Sequence, residues 1–379
     1  MPLTVSLQEL EDELIGIIAE NIARVSESFT AFRPEIAFEK IKAERLKAVT
    51  EESVKAIAAN AKITVPEAER LIKESGIAAA LKDERLYRLA LEKGIITNEA
   101  VRFAGSRSVT EIFTAAVNNA KTMLNLTNTG ALSSARGAYL TAANQAYIET
   151  YAGVKTTAQA VMDAVTAMAR SGITVVTYSG TRENGQKWER RDHIDVAVRR
   201  NLMTAINQAN GKMTLARAED WGSNLVEVSR HMGERPSHAE WSGKIYAIKG
   251  RTMKYANLYD ATGYETAEGL KGVNCRHTFW AFIEGLSTRN DYGKLGYPDN
   301  DTPEGKAEIE RIYKNTQAQR RYEREIRAAK REIAGLKGLG EDTGKAYAKL
   351  NNKENQLDGF LKSTRRTRRG NREQVAGFD

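Results

Sequence analysis

The 379-residue chain has one cysteine, six prolines and four histidines, and only 7% of its residues are aromatic. A single cysteine, Cys275, excludes an internal disulfide framework. No run approaches the roughly 18 consecutive apolar residues that a membrane-spanning helix needs. The opening residues, MPLTVSLQELEDELIG, lack the basic start and apolar block of a secretory signal, so the chain is expected to stay in a cytoplasm or in an assembly formed there. There is no G-x-x-x-x-G-K-S/T, no G-x-G-x-x-G after a strand and no G-x-S-x-G. Nucleotide hydrolysis, dinucleotide binding and hydrolase-type acyl transfer therefore have no motif behind them.

What is present describes a globular chain more polar than average: 41% hydrophobic, 28% charged, mean hydropathy -0.50. At about 100 to 200 residues per domain, the length predicts two or three domains. The net charge of +8 is unevenly placed. Residues 1–172 carry 20 basic and 21 acidic side chains, 173–300 carry 18 and 15, and 301–379 carry 19 and 13. A basic end segment suits contact with phosphates or with an acidic protein face.

Texture divides the chain at the same places. Residues 1–172 read as a helical N-terminal domain, rich in alanine and poor in proline, with apolar residues recurring at short, broadly helical intervals such as Leu81, Leu86, Leu89 and Leu91. Thr64, Pro66, Glu67 and Glu69 read as one helix start, and Thr50, Glu51 and Glu52 as another. The helical pattern runs through Ala131–Arg170 to Gly172. Residues 173–300 read as a small mixed α+β domain. Its β-prone runs are Ile173–Tyr178, Leu225–Val228, Lys244–Ile248 and Thr278–Ile283, and a helix falls within residues 190–208. Residues 288–305, rich in Gly, Asp, Asn and Pro, read as a linker. From Pro303 a long helix carries a narrow apolar stripe through Ile309, Ile312, Tyr322, Ile326, Ala329, Ile333 and Leu336. A turn, a second helix to about Leu361 and a basic tail follow. The fold class expected is α+β, predominantly helical.

His231, His238, Cys275 and His277 fall within 47 residues. Imidazole and thiolate are zinc's preferred donors, so H-x6-H followed by C-x-H supplies four candidate ligands, although the spacing is not that of a recognised finger. On a continuous helix His231 and His238 would stand about 10 Å apart, which Pro236 argues against. On a strand Cys275 and His277 would share a face about 6.6 Å apart, long for joint chelation without a bend. A second reading makes His231 or His238 the base for a Cys275 nucleophile. A third is that these are buried, hydrogen-bonded histidines. Arg235, Trp241, Tyr246 and Trp280 are either base-stacking platforms or core. Lys362, Arg365, Arg366, Arg368, Arg369 and Arg372 place six cations in 11 residues, enough to bind phosphates without a folded site, or simply a solvated tail.

LVEVSRHMGERPSHAEWSGKIY (225–246) followed by GYETAEGLKGVNCRHTFWAFIEGLS (263–287) resembles the signature of tailed-bacteriophage minor capsid proteins, the portal-associated group related to Mu-F-like head morphogenesis proteins. The likeness extends through the helical stretch from about residue 120, and through QRRYEREIRAAKR and TRRGNREQVAGF near the C-terminus. Two positions depart from the pattern: Ser242 stands where glutamine is usual, and Glu234 where an apolar residue or alanine is usual. The signature residues carried over are His231, Arg235, Pro236, His238, Trp241, Gly243, Lys244, Asn274, Cys275, Arg276 and His277.

The resemblance implies a structural protein of the virion head near the portal vertex, assembled in the host cytoplasm. Portal and capsid proteins, and the packaged double-stranded DNA, would be its partners. No membrane, small-molecule substrate or established catalytic activity comes with it. The competing readings are a metal- or cysteine-dependent hydrolase or toxin-like domain carried in the virion, and a plain nucleic-acid-binding protein.

Overall fold

The computed structural model describes residues 2–30, 34–181, 185–250, 252–375 and 378. The α+β, predominantly helical class holds. The helices are α1 (Pro2–Ser26), α2 (Pro34–Glu92), α3 (Arg107–Tyr151), α4 (Thr157–Ser171), α5 (Ile194–Asp220), α6 (Pro236–Ala239), α7 (Leu258–Thr262), α8 (Pro303–Gly338) and α9 (Gly344–Thr364). The strands are β1 (Thr174–Thr181), β2 (Lys187–His193), β3 (Leu225–Val228), β4 (Ile245–Ala247) and β5 (Phe279–Ala281).

Two expected helix starts are absent. α2 runs through both Thr50 and Thr64, with Pro66 inside it. The hydroxyls that would cap a new helix instead donate to the carbonyl four residues back, Thr50 to Leu46 and Thr64 to Asn60, a bond compatible with continued helix. Conversely, the helical pattern across residues 131–170 is interrupted: α3 ends at Tyr151, and Thr156 opens α4 by accepting the Gln159 amide.

Contacts divide the chain into two compact units, each assembled from separate stretches: Met1–Pro66, Met123–Arg199 and Ala318–Asp379 in the first, Glu67–Thr122 and Arg200–Gln317 in the second. These divisions fall inside α2, α3, α5 and α8, not at residues 172 and 300. A change of composition along the chain marks where strands begin, and long helices carry the chain past it.

In the first unit, α1 buries Leu7, Leu10, Leu14, Ile18, Ile22 and Val25, one helical stripe. Phe38 of α2 stacks on Tyr147 of α3 at 4.0 Å between ring centres. α8 and α9 share a core of Ile326, Ala329, Ile333, Leu336, Leu350, Leu357 and Leu361. β1 and β2 form an antiparallel pair. The expected basic tail is folded. Arg368 pairs with Glu354, Asp358 and Glu373, Arg372 with Glu323, and Arg366 donates to Gln319, because the helices beside this segment carry matching acids and amides. Lys362, Arg365 and Arg369 are exposed.

In the second unit, β3 lies between β4 and β5 in an antiparallel sheet. Its core includes Val226, Val228, Trp241, Tyr246, Leu258, Leu270, Phe279 and Ala281, together with Tyr87 and Trp221. Trp241 and Tyr246 are therefore core rather than stacking platforms. Half-buried Trp280 lies beneath the Lys82 ammonium. The expected linker at 288–305 proves to be a packed strap. Arg289 donates to the Gly243 carbonyl, Asn290 donates twice to Glu227, and buried Asn300 donates to the carbonyls of Ala239 and Ser242. Glycine, asparagine and proline are there for tight turning, and their polar groups serve the module they wrap.

Candidate functional site

The eleven signature residues all lie in the second unit. Pro236 begins α6, where its missing amide N–H costs nothing, and this short helix places His238 in the interior. Asn274 adopts a left-handed conformation, φ 57°, just before Cys275. Residues 275–278 are not strand; β5 begins only at Phe279. That bend removes the 6.6 Å separation expected of a strand, and Cys275 Sγ lies 3.6 Å from His277 Nδ1. Asn207 donates to the Cys275 carbonyl, and Arg235 donates to the Val273 carbonyl, pinning the same loop.

His238, Cys275 and His277 converge, with one candidate ligand atom from each lying within 4.8 Å of the others. Their exposures are 3%, 7% and 0%. The two Nδ1 atoms are 3.4 Å apart. His238 Nε2 is 2.7 Å from the Glu268 carbonyl, which can only accept, so this nitrogen donates and Nδ1 faces the cluster. His277 Nε2 is 2.7 Å from Glu234 Oε2. Trp241 closes one side, its ring 4.6 Å from His238 and 4.8 Å from His277.

His231, the fourth expected ligand, stands apart. It is only partly buried, its Nδ1 is 3.4 Å from the adjacent Met232 carbonyl, and it meets the cluster only through its ring, 4.4 Å from that of His277. Burial, followed by repulsion from His277, pushes its pKa down to about 4. Arg276 and Asn274 are exposed, and Lys244 reaches out to Asp301 at 3.0 Å. Gly243 holds φ 71°, and a Cβ there would come within 2.8 Å of Arg230 Cδ, so the close approach requires glycine.

Glu234, a departure from the family pattern, is the carboxylate that orients His277. Arg230 Nε and Nη2 donate to its other oxygen at 3.2 and 3.1 Å, while Nη1 donates to the Pro298 carbonyl of the strap. Burial opposes charge on Glu234 and His277 alike, but the bond to His277 holds the carboxyl below its usual range, and bonds to Cys275 and then Glu234 hold the imidazole above its own. Burial pushes the Cys275 thiol up as well, but hydrogen bonds with His238 and His277 and the His277 charge bring it down to about 5. Lys271, fully buried with φ 64°, donates to Asn207 and Thr278, and burial pushes its amine down to about 7. The pattern read from sequence held the ligand-type residues but not Glu234, Arg230, Asn207 or Lys271. Arg230 and Glu234 are four residues apart but lie in a turn outside any helix, so helical spacing could not have signalled the pair.

Chemically, a thiol beside an imidazole that is itself held by a carboxylate can act as a nucleophile or as a metal ligand. Comparison with known proteins gives the family. The profile of the family described as phage minor capsid protein 2 matches residues 4–362. The chain belongs to that family. It is also similar to a protein named "Structural protein" from Lactococcus phage LL-H, 22% identical over 228 residues, 59% of this chain and 56% of the relative. The chain thus spans little more than half the length of that curated relative. No solved structure matches the chain significantly. Family and relative together support a phage structural role. Among the described residues, no helix is long and apolar enough to cross a membrane.

Proposed function

We propose that this protein is a minor component of the phage head, seated near the portal vertex, with portal and capsid subunits as partners and the packaged DNA within reach. The observation that carries a structural rather than enzymatic reading is the sealing of the His/Cys cluster. Cys275 and His277 are buried, with Trp241 packed against the cluster, where a nucleophile would need an open approach for its substrate. In this reading the cluster braces the second unit.

Attachment is assigned to the first unit. Ile148, Tyr151 and Val154, at and just beyond the end of α3, are 63%, 66% and 71% exposed, an apolar cluster on a predominantly polar surface. DNA contact is assigned to Lys362, Arg365 and Arg369, exposed cations of the folded tail; Arg368, also exposed, is engaged with Glu354, Asp358 and Glu373. The test is assembly in infected cells with Ile148→Asp and Tyr151→Asp in the same chain, alongside Cys275→Ser. The attachment variant should remain folded yet be missing from purified heads. Normal incorporation of that variant would sink the docking assignment, and a phage-encoded hydrolytic activity abolished in Cys275→Ser would sink the structural reading.

A further inference from the structure

We propose that His238, Cys275 and His277 bind one zinc ion through Nδ1, Sγ and Nδ1, an inference that goes beyond the head-protein reading and does not depend on it. The distances are the first argument. Zinc–nitrogen bonds of about 2.0 to 2.1 Å and a zinc–sulfur bond of about 2.3 Å, arranged tetrahedrally, separate two nitrogens by about 3.3 Å and nitrogen from sulfur by about 3.6 Å. The protein holds the two Nδ1 atoms 3.4 Å apart and Cys275 Sγ 3.6 Å from His277 Nδ1, with the third pair, His238 and Cys275, within 4.8 Å, so that closing on the ion requires at most a small side-chain adjustment.

The outer contacts are the second argument. A metal-bound imidazole needs an acceptor on its other nitrogen to fix ring and tautomer, and both rings have one: the Glu268 carbonyl for His238 and the Glu234 carboxylate for His277. Glu234 is in turn clamped by Arg230. Two imidazoles and a thiolate match zinc's donor preference, while magnesium and calcium require oxygen ligands. The loop carrying Cys275 and the helix carrying His238 are short elements around a small core, so a shared ion would cross-link the segments least able to stabilise themselves. Water completes the coordination, and His231 is left outside.

The full-length protein, purified without chelator, should contain one zinc per chain, and exchange with cobalt(II) should give the intense visible bands of a tetrahedral site with a thiolate charge-transfer band. Cys275→Ser should lose the charge-transfer band, and His231→Ala should keep both the metal and the spectrum. Glu234→Gln should still fold and bind the metal some 10- to 100-fold more weakly, the usual effect of losing an outer-contact carboxylate. If wild-type protein carries no metal, binds no cobalt and melts unchanged after chelator treatment, the proposal is wrong. A spectrum unchanged in Cys275→Ser, or abolished in His231→Ala, would overturn the ligand assignment.

Discussion

Glu234 Oε2 and His277 Nε2 lie 2.7 Å apart in the interior of the second unit, and Arg230 holds the opposite oxygen of the same carboxylate. One acid therefore fixes both a cluster ring and the strap that Arg230 grips through the Pro298 carbonyl. Removing one member of a buried charged network leaves the others unpaired, which costs about 3 to 5 kcal/mol. Glu234→Ala is expected to lose about that much in urea unfolding. A loss under about 1 kcal/mol would mean that the pair is not what braces this module.

Asn300 tests the strap itself. Its amide satisfies two carbonyls, those of Ala239 and Ser242, in a buried position. Asn300→Ala leaves both without their donor, a cost of about 1 to 3 kcal/mol. The melting temperature should fall, and limited proteolysis should begin to cut within residues 288–302. Unchanged melting and protection would show that the segment is a passive connector.

The first unit should be acid-sensitive through Glu11. Burial raises the pKa of this carboxyl, but Arg331, His193 and the Ile173 amide outweigh burial and hold it at about 2. A carboxylate whose folded pKa is depressed contributes stability above its unfolded value of 4.5 and loses it as pH falls towards 2. The contribution is on the order of 3 kcal/mol at neutral pH. Glu11→Gln should therefore destabilise the protein at pH 7 and flatten its stability profile between pH 4.5 and 2. An acid limb of the same slope in both proteins would contradict this.

The tail offers a separable prediction. Arg368 is committed to Glu354, Asp358 and Glu373, so Arg368→Ala should loosen residues 365–375 without much change in DNA retention. Changing Lys362, Arg365 and Arg369 together to Gln should weaken DNA retention at low salt and reduce its salt slope by up to about 2.7, near 0.9 for each phosphate no longer neutralised. The reverse ranking of the two variants would show that Arg368, not Lys362, Arg365 and Arg369, meets the phosphates.

Much of the architecture was legible in the sequence because it rests on periodicity. The stripe from Ile309 to Leu336 predicted α8, and the runs at 225, 244 and 278 predicted β3, β4 and β5. Elsewhere local signals lost to longer-range structure. The caps at Thr50 and Thr64 have the right chemistry, but α2 buries Val49, Ala56, Ile57 and Ala68 on either side of them, and that packing favours an unbroken helix. The two discontinuous units were hidden because sequence order says nothing about which half of a long helix packs where. At the candidate site, residue type singled out His231, His238, Cys275 and His277, of which the last three converge. Their convergence depends on the bend at Asn274, and the roles of Glu234 and Asn207 depend on neighbours dozens of residues away.

The most direct test of the central claim is cross-linking mass spectrometry on intact, DNA-filled heads. The account predicts that the protein is present in few copies and that cross-links join the first unit, near the end of α3, to portal subunits. Heads that lack the protein, or cross-links confined to major capsid subunits far from the portal vertex, would contradict it.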